Sequence, residues 1–196
     1  MPKNARSVAK AETSNALIAS ARQHFFDRGY ADASMEAICQ DAGVTRGALY
    51  HNFGGKLGLF EAVVRQINDE IFDRLEATTP EDWPTLDGFV GGCLVYLQLA
   101  SEPEAQKIVF REAPAVLGQK LRDLDAESYL APLQEALEEL MRAGEIVELD
   151  AVALARMLNS AVLEGALLIA ESDRDDAAID RVSRTVEGMI FGLKSG

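Results

Sequence analysis

Along most of this chain apolar positions recur every three or four residues, the period of a helix with one buried face. Between Ala11 and Arg28 the stripe is Ile18, Ala21 and Phe25, with Gly29 as the stop. A broader stripe from Lys56 to about Ala77 carries Leu59, Phe60, Val63, Val64, Ile67, Ile71 and Leu75. Thr78-Thr79-Pro80-Glu81-Asp82, followed by Trp83-Pro84, breaks the pattern. Further helices are predicted over Thr85–Ala100, from Ser101 to a point before Pro114, over Glu127–Ala143, from Asp150 to about Ala170, and from Asp175 or Asp176 to about Lys194. Ser101 and Glu104 have capping-box spacing with Pro103 in the first turn. Pro114–Asp125 reads as a short helix or bend, and Pro132 fits the first turns of its helix. No segment alternates with period two between turn signals, so the predicted fold class is all-α.

One stretch departs from this long-helix pattern. Residues 34–56 read as two short helices joined by a tight turn. Ser34 caps the first, Gly43 supplies the positive φ that ends it, and Val44 packs beneath the turn. Thr45 caps the second, Arg46 to Phe53. Ile38, Ala42, Val44, Leu49 and Phe53 are spaced to share a small core, which leaves Arg46, Tyr50, His51 and Asn52 facing outward. Such a face suits base edges and phosphates, and the unit reads as a helix-turn-helix.

The run Ala42-Gly-Val-Thr-Arg-Gly-Ala-Leu-Tyr-His-Asn-Phe53, then Gly54-Gly55-Lys56 and Leu59-Phe60, resembles the DNA-binding domain of the tetracycline-repressor (TetR) family. So does the preceding Phe25-Phe26-Asp27-Arg28-Gly29-Tyr30 with Ser34 and Ile38, and the likeness covers about residues 10–65. Departures are few: Cys39 stands where Ala is common, and Gly55 where a polar cap often is. A shorter likeness, Ile108–Gly118, is to a C-terminal ligand-binding type found in the family. The resemblance implies a homodimeric repressor released from operator DNA by a small-molecule ligand. Its expected division is a basic flexible arm at 1–10, a three-helix DNA-binding domain at 11–55, and a helical ligand-binding and dimerisation domain at 56–196. The expected DNA contacts are Arg6, Ser34, Thr45, Arg46, Gly47, Tyr50, His51, Asn52 and Lys56, with Ser34 and Thr45 open to a purely capping role.

Charge sharpens this picture. The 196 residues carry a net −13, unusual for a DNA binder. Residues 1–65 hold 8 Lys/Arg and 6 Asp/Glu, whereas residues 66–196 hold 11 and 26, so the ends carry +2 and −15. The first ten residues bring Lys3, Arg6 and Lys10 with no acid before Glu12. Counterion release depends on local cations, and an acidic body limits non-specific binding. The expected location is the cytoplasm with no membrane partner, because no signal-like segment and no apolar run of ~18–20 residues is apparent. Cys39 and Cys93 fall on separate helices among core-type residues and read as reduced thiols, without the basic surroundings of a redox pair.

The last two helices read as an association surface. The first is apolar on most sides and so needs two buried surfaces, and Gly165, Gly188 and Gly192 permit close approach. Leu158, Val162, Gly165 and Ile169, with Val182, Val186, Met189 and Ile190, are the expected dimer contacts. Ile67, Ile71, Phe89 and Tyr96, with Phe110, Leu133, Leu137 and Met157, are candidates for a ligand pocket, although apolar stripes at this spacing are also plain core. Arg111, Glu112, Asn159 and Glu164 stand as polar residues in apolar surroundings. An enzyme is the main alternative. The only histidines, His24 and His51, lie in the DNA-binding part, and no nucleophile elbow or zinc motif is present, so no cofactor, metal or catalytic residue is expected. A protein-binding helical adaptor is the other, and it has no need of the Arg46/Tyr50/His51/Asn52 face.

Overall fold

The computed structural model describes residues 2–78, 85–125, 130–172 and 175–195. Its helices are α1 (Pro2–Asp32), α2 (Met35–Asp41), α3 (Arg46–Phe53), α4 (Lys56–Ala77), α5 (Leu86–Ala100), α6 (Pro103–Ala105), a π-helical stretch Gln106–Glu112, α7 (Ala113–Leu117), α8 (Gln119–Asp125), α9 (Ala131–Arg142), α10 (Ala151–Glu171) and α11 (Asp176–Phe191). Among the described residues the β structure is an isolated antiparallel bridge, Ile146 to Lys194. The fold is all-α. The predicted break after Thr78 and the first residues of the helix predicted from Glu127 lie outside the described residues.

The chain divides into two compact units, one of Met1–Asn68 and Lys107–Gly118, the other of Asp69–Gln106 and Gln119–Gly196. The division falls inside α4 rather than before Lys56, because Leu59, Phe60, Val63 and Val64 are wholly buried with the first unit. Nor does the segment 1–10 stand apart as an unstructured arm: α1 begins at Pro2. Proline is favoured in a helix's first turn, and Lys3, Ala5, Arg6, Ala9 and Lys10 are strong helix formers.

In the first unit α1, α2 and α3 pack against one another. Among the described side chains of α1, Leu17, Ala21 and Phe25 are buried, so the stripe runs through Leu17 rather than Ile18. Phe25 meets Phe60 edge-on at 5.0 Å, and Tyr30 stands 4.9 Å from Phe60. Each such pair contributes about 0.5–1.5 kcal/mol beyond its buried area. The Ser20 hydroxyl donates to the Ile38 carbonyl at 3.0 Å, and His24 Nε2 lies 2.7 Å from Asp41 Oδ2. Gly29 interrupts α1 with φ 78°. The returning π-helical stretch clasps this kink, its Lys107 ammonium donating to the Phe26 carbonyl and its Glu112 carboxylate accepting the Tyr30 N–H at 2.6 Å. A Cβ on Gly29 would lie 2.8 Å from Glu112 Oε1, so both φ and space call for glycine.

Around Ser101 the sequence reading changes. Ser101 closes α5, its hydroxyl donating back to Gln98, and Glu102 begins the next helix without a side-chain cap. Helical backbone then continues past Pro114, because that proline sits in the first turn of α7, where its missing N–H costs nothing.

In the second unit α10 packs against α5, α9 and α11, and α11 against α5. Asp150 caps α10, accepting the Ala153 N–H at 2.8 Å, and Thr85 caps α5 through Gly88. Gln106 Nε2 donates to the Ala100 and Ala166 carbonyls at 2.7 and 3.0 Å, a buried tie between the end of α5 and α10. By length and composition alone α10 would pass for a membrane-crossing helix, although Arg156 and Glu164 interrupt its apolar run. Here it is a packed helix whose outer side carries the exposed Arg156 and Glu164.

Candidate DNA interface and ligand cavity

Helices of 7 and 8 residues, like α2 and α3, are too short to be stable alone and depend on their ends. Ser34 Oγ accepts the Ala37 N–H at 3.3 Å, and Thr45 Oγ1 accepts the Ala48 N–H at 3.2 Å. Both residues are therefore caps. Gly43, at φ 66°, makes the turn between them, and the Val44 N–H returns to the Cys39 carbonyl at 3.0 Å. Ile38 and Leu49 are buried beneath, while Ala42, Val44 and Phe53 are half-buried. Cys39 is also buried, and burial raises its thiol pKa, opposed in part by the nearby Arg46 charge.

Arg46, Gly47, Tyr50 and His51 form the open face of α3, with Tyr50 54% exposed. A Cβ on Gly47 would meet nothing closer than Thr45 Oγ1 at 3.8 Å, so the chain's own packing does not call for glycine there. Two expected contacts are placed differently. Asn52 is half-buried, with Nδ2 donating to the Ala48 carbonyl at 2.8 Å, because it lies on the flank of α3. The Lys56 ammonium is held by the Ala31 carbonyl at 3.0 Å, 4.9 Å above the Tyr30 ring. Arg6 lies on α1, and its side chain is outside the described residues.

One residue of this region escaped sequence reasoning. A Cβ on Gly58 would lie 2.0 Å from the Phe53 carbonyl oxygen, so only glycine lets α4 pass this close to the end of α3. The signal is the Gly55-x-x-Gly58 spacing, which sequence reasoning left unused.

In the second unit a cavity of about 540 Å³ lies between the last turns of α4 and α5, α9 and α10. Of the expected pocket residues, Phe89, Tyr96 and Leu133 line it. Ile67, Ile71 and Leu137 do not: they are at most 3% exposed and fill core. Phe110 belongs to the first unit, and Met157 is 71% exposed on the outer side of α10. Phe72, Cys93, Glu135, Glu139 and Asn159 line the cavity instead. Burial pushes the Cys93 thiol up to about 12, which keeps it protonated and unreactive.

The expected dimer contacts also need correction. Leu158, Val162, Gly165 and Ile169 of α10 and Val186 and Ile190 of α11 are buried within the chain's own core. Gly165 serves an internal crossing, since a Cβ there would lie 2.8 Å from Val182 Cγ1 and 3.2 Å from Leu97 Cδ1. Val182 is thus partly engaged inside. The large apolar residues these helices leave outside are Val152, Met157, Leu168, Met189 and Phe191, 40–71% exposed. Of the four polar residues in apolar surroundings, Asn159 faces the cavity, Glu112 holds Tyr30, and Arg111 and Glu164 are exposed. Among the described residues no group of His, Cys, Asp and Glu is placed to hold a metal ion.

A capped helix-turn-helix in one unit and an all-helical body with a cavity in the other define a DNA-binding transcriptional regulator. Residues 17–63 match the family of bacterial regulatory proteins of the tetR type, and residues 86–193 match the tetracyclin repressor-like C-terminal domain. The chain belongs to the TetR family of transcriptional regulators, which are not enzymes. It is similar to a TetR-family regulator of Pectobacterium atrosepticum, at 40% identity over 96% of this chain and 97% of that one, with a TM-score of 0.81. It is also similar to the transcriptional repressor BepR of Brucella suis, 29% identical over 133 residues, a match that spans 59% of that repressor's length. A regulator FadR of Bacillus subtilis, solved with stearoyl-CoA, shares the fold at 20% identity over 90% of this chain, with a TM-score of 0.76.

Proposed function

We propose that this regulator is a homodimeric repressor that binds operator DNA through α3 and is released by a small molecule held in the body. The observation that carries the DNA contact is the open face of Arg46, Gly47, Tyr50 and His51 on a helix fixed at both ends, by Thr45 and by the left-handed Gly54. Arg46 suits a bidentate guanine contact, and Gly47 leaves room for close approach to the duplex. Ser34 and Thr45 serve by capping, Asn52 and Lys56 flank the face, and Arg6 of α1 adds charge toward the phosphates.

A single recognition helix reads only a half-site, so two copies are required. The exposed Met157, Leu168, Met189 and Phe191 provide the apolar part of an isologous interface between α10 and α11 of each copy. Release has a physical route in α4, one helix whose first turns serve the DNA-binding unit and whose Phe72 and Leu75 line the cavity. A ligand that fits one tilt of α4 changes the spacing of the two recognition helices. A coupling of about 1–3 kcal/mol, roughly 5–150-fold in operator affinity, is sufficient. Such a repressor works in the cytoplasm, without a membrane partner.

Light scattering on the complex with a duplex fragment recovered from genomic DNA tests the reading. Two chains per fragment are expected, with half-sites about one helical turn apart. One chain per fragment, or binding that never saturates, contradicts it.

A further inference from the structure

We infer that the body cavity takes a lipophilic cation: an aromatic or alkyl-rich molecule bearing one delocalised or quaternary positive charge. The inference deepens the ligand-released reading and rests on it only for the consequence that such a cation relieves repression. At about 540 Å³ the cavity has the size of a drug-like ligand site. Its wall offers the rings of Phe72, Phe89 and Tyr96, whose faces attract cations as well as apolar groups.

Charge then selects among apolar ligands. Glu76, Glu135 and Glu139 line the cavity, and no Lys, Arg or His does so among the described residues. Glu135 and Glu139 stand one turn apart on α9, a like-charge spacing that is unfavourable for the helix on its own. Their neighbour Glu138 is engaged elsewhere, accepting from Gln134 at 2.7 Å. A bound cation turns the repulsion of the pair into attraction, and the exposed position of both carboxylates places them where a ligand enters. An anionic ligand meets carboxylates without a compensating base, in a body that already carries a large negative charge.

Two probes of nearly equal shape and opposite charge, tetraphenylphosphonium and tetraphenylborate, separate charge from shape. Titrated calorimetrically into the full-length protein at moderate salt, the cation is expected to bind one per chain, about tenfold or more tighter than the anion. Glu135→Gln with Glu139→Gln should weaken the cation about fivefold or more while sparing neutral triphenylphosphine oxide. The same charge change outside the lining, Glu148→Gln with Glu171→Gln, should leave cation affinity within about twofold, which distinguishes the cavity from diffuse attraction. Equal or tighter binding of the borate, an unchanged affinity in the Glu135/Glu139 variant, or no saturable one-to-one site overturns the inference. Operator affinity with the cation at saturation reads the parent proposal separately: a charge-selective site that leaves DNA binding unchanged refutes release and leaves the cavity assignment standing.

Discussion

The DNA-binding unit and the body hold their helices by opposite means. In α2 and α3, of 7 and 8 residues, almost everything is decided at the ends: two hydroxyl caps, a left-handed glycine in the turn, and a second at the end of α3. In α10, of 21 residues, the cap at Asp150 is a small part, and packing against three other helices sets the rest. Short helices have too few hydrogen bonds to offset their nucleation, so local chemistry must define them. A long apolar helix is defined by its surroundings. That is why the first kind can be read one residue at a time and the second cannot.

The sharpest way to break the comparison is Gly58→Ala. If end geometry governs the first unit, one methyl placed 2.0 Å from the Phe53 carbonyl oxygen must displace α3 from α4. Overpacking of this kind costs about 1–3 kcal/mol, so thermal melting should fall by several degrees and operator binding should be lost. A variant with unchanged melting and operator affinity would show that the approach of these helices is not fixed by glycine. Arg46→Ala probes the open face without touching either end. Operator affinity should fall by ~1–3 kcal/mol with discrimination relaxed at one base pair, while melting stays within about 0.5 kcal/mol of the parent. An equal loss on every sequence would instead make Arg46 a phosphate contact.

Caps provide the next contrast. Thr45→Ala should cost about 1 kcal/mol, visible in denaturant titration, and weaken operator binding in proportion. Asp150→Ala should cost a similar amount of stability and leave DNA affinity unchanged. Equal effects of the two on DNA binding would undo the distinction between the regions.

Smallest is the alkaline response of the body. The Cys93 pKa is raised from 9.0 to about 12 by burial, so the folded state keeps a proton that the unfolded state gives up. Stability from this group is therefore full below about pH 9 and declines between pH 9 and 12. Cys93→Ala should flatten the fall in melting temperature over that window, and a parallel pH dependence in both proteins would place the thiol in contact with water.

The same contrast marks how far the sequence could be read. The helix-turn-helix was legible because Ser34, Gly43 and Thr45 each do one local job, and α4 spans Lys56–Ala77 as its apolar period requires. Gly58 was legible only as spacing, because its reason is a carbonyl from the preceding helix. In the body the helices were legible and their faces were not. Met157 and Leu158 are adjacent and both apolar, yet one is 71% exposed and the other 6%. On a helix apolar all round, periodicity does not say which residue faces inward. The cavity was equally hidden, since Glu135 and Glu139 look like an ordinary solvated face until α4, α5 and α10 are seen beside them. The π-helical stretch Gln106–Glu112 shifts register where no proline or glycine announces it, and so its clasp on Phe26 and Tyr30 could not be anticipated.

Selection of binding sites from a random duplex pool by the purified full-length protein tests the central claim, that α3 reads DNA sequence, more directly than any variant. The account predicts enrichment of a pseudo-palindrome with half-sites about 34 Å or a multiple apart, and loss of preference at one base pair of each half-site when the selection is repeated with Arg46→Ala. A pool that remains random after repeated rounds at moderate salt would contradict it.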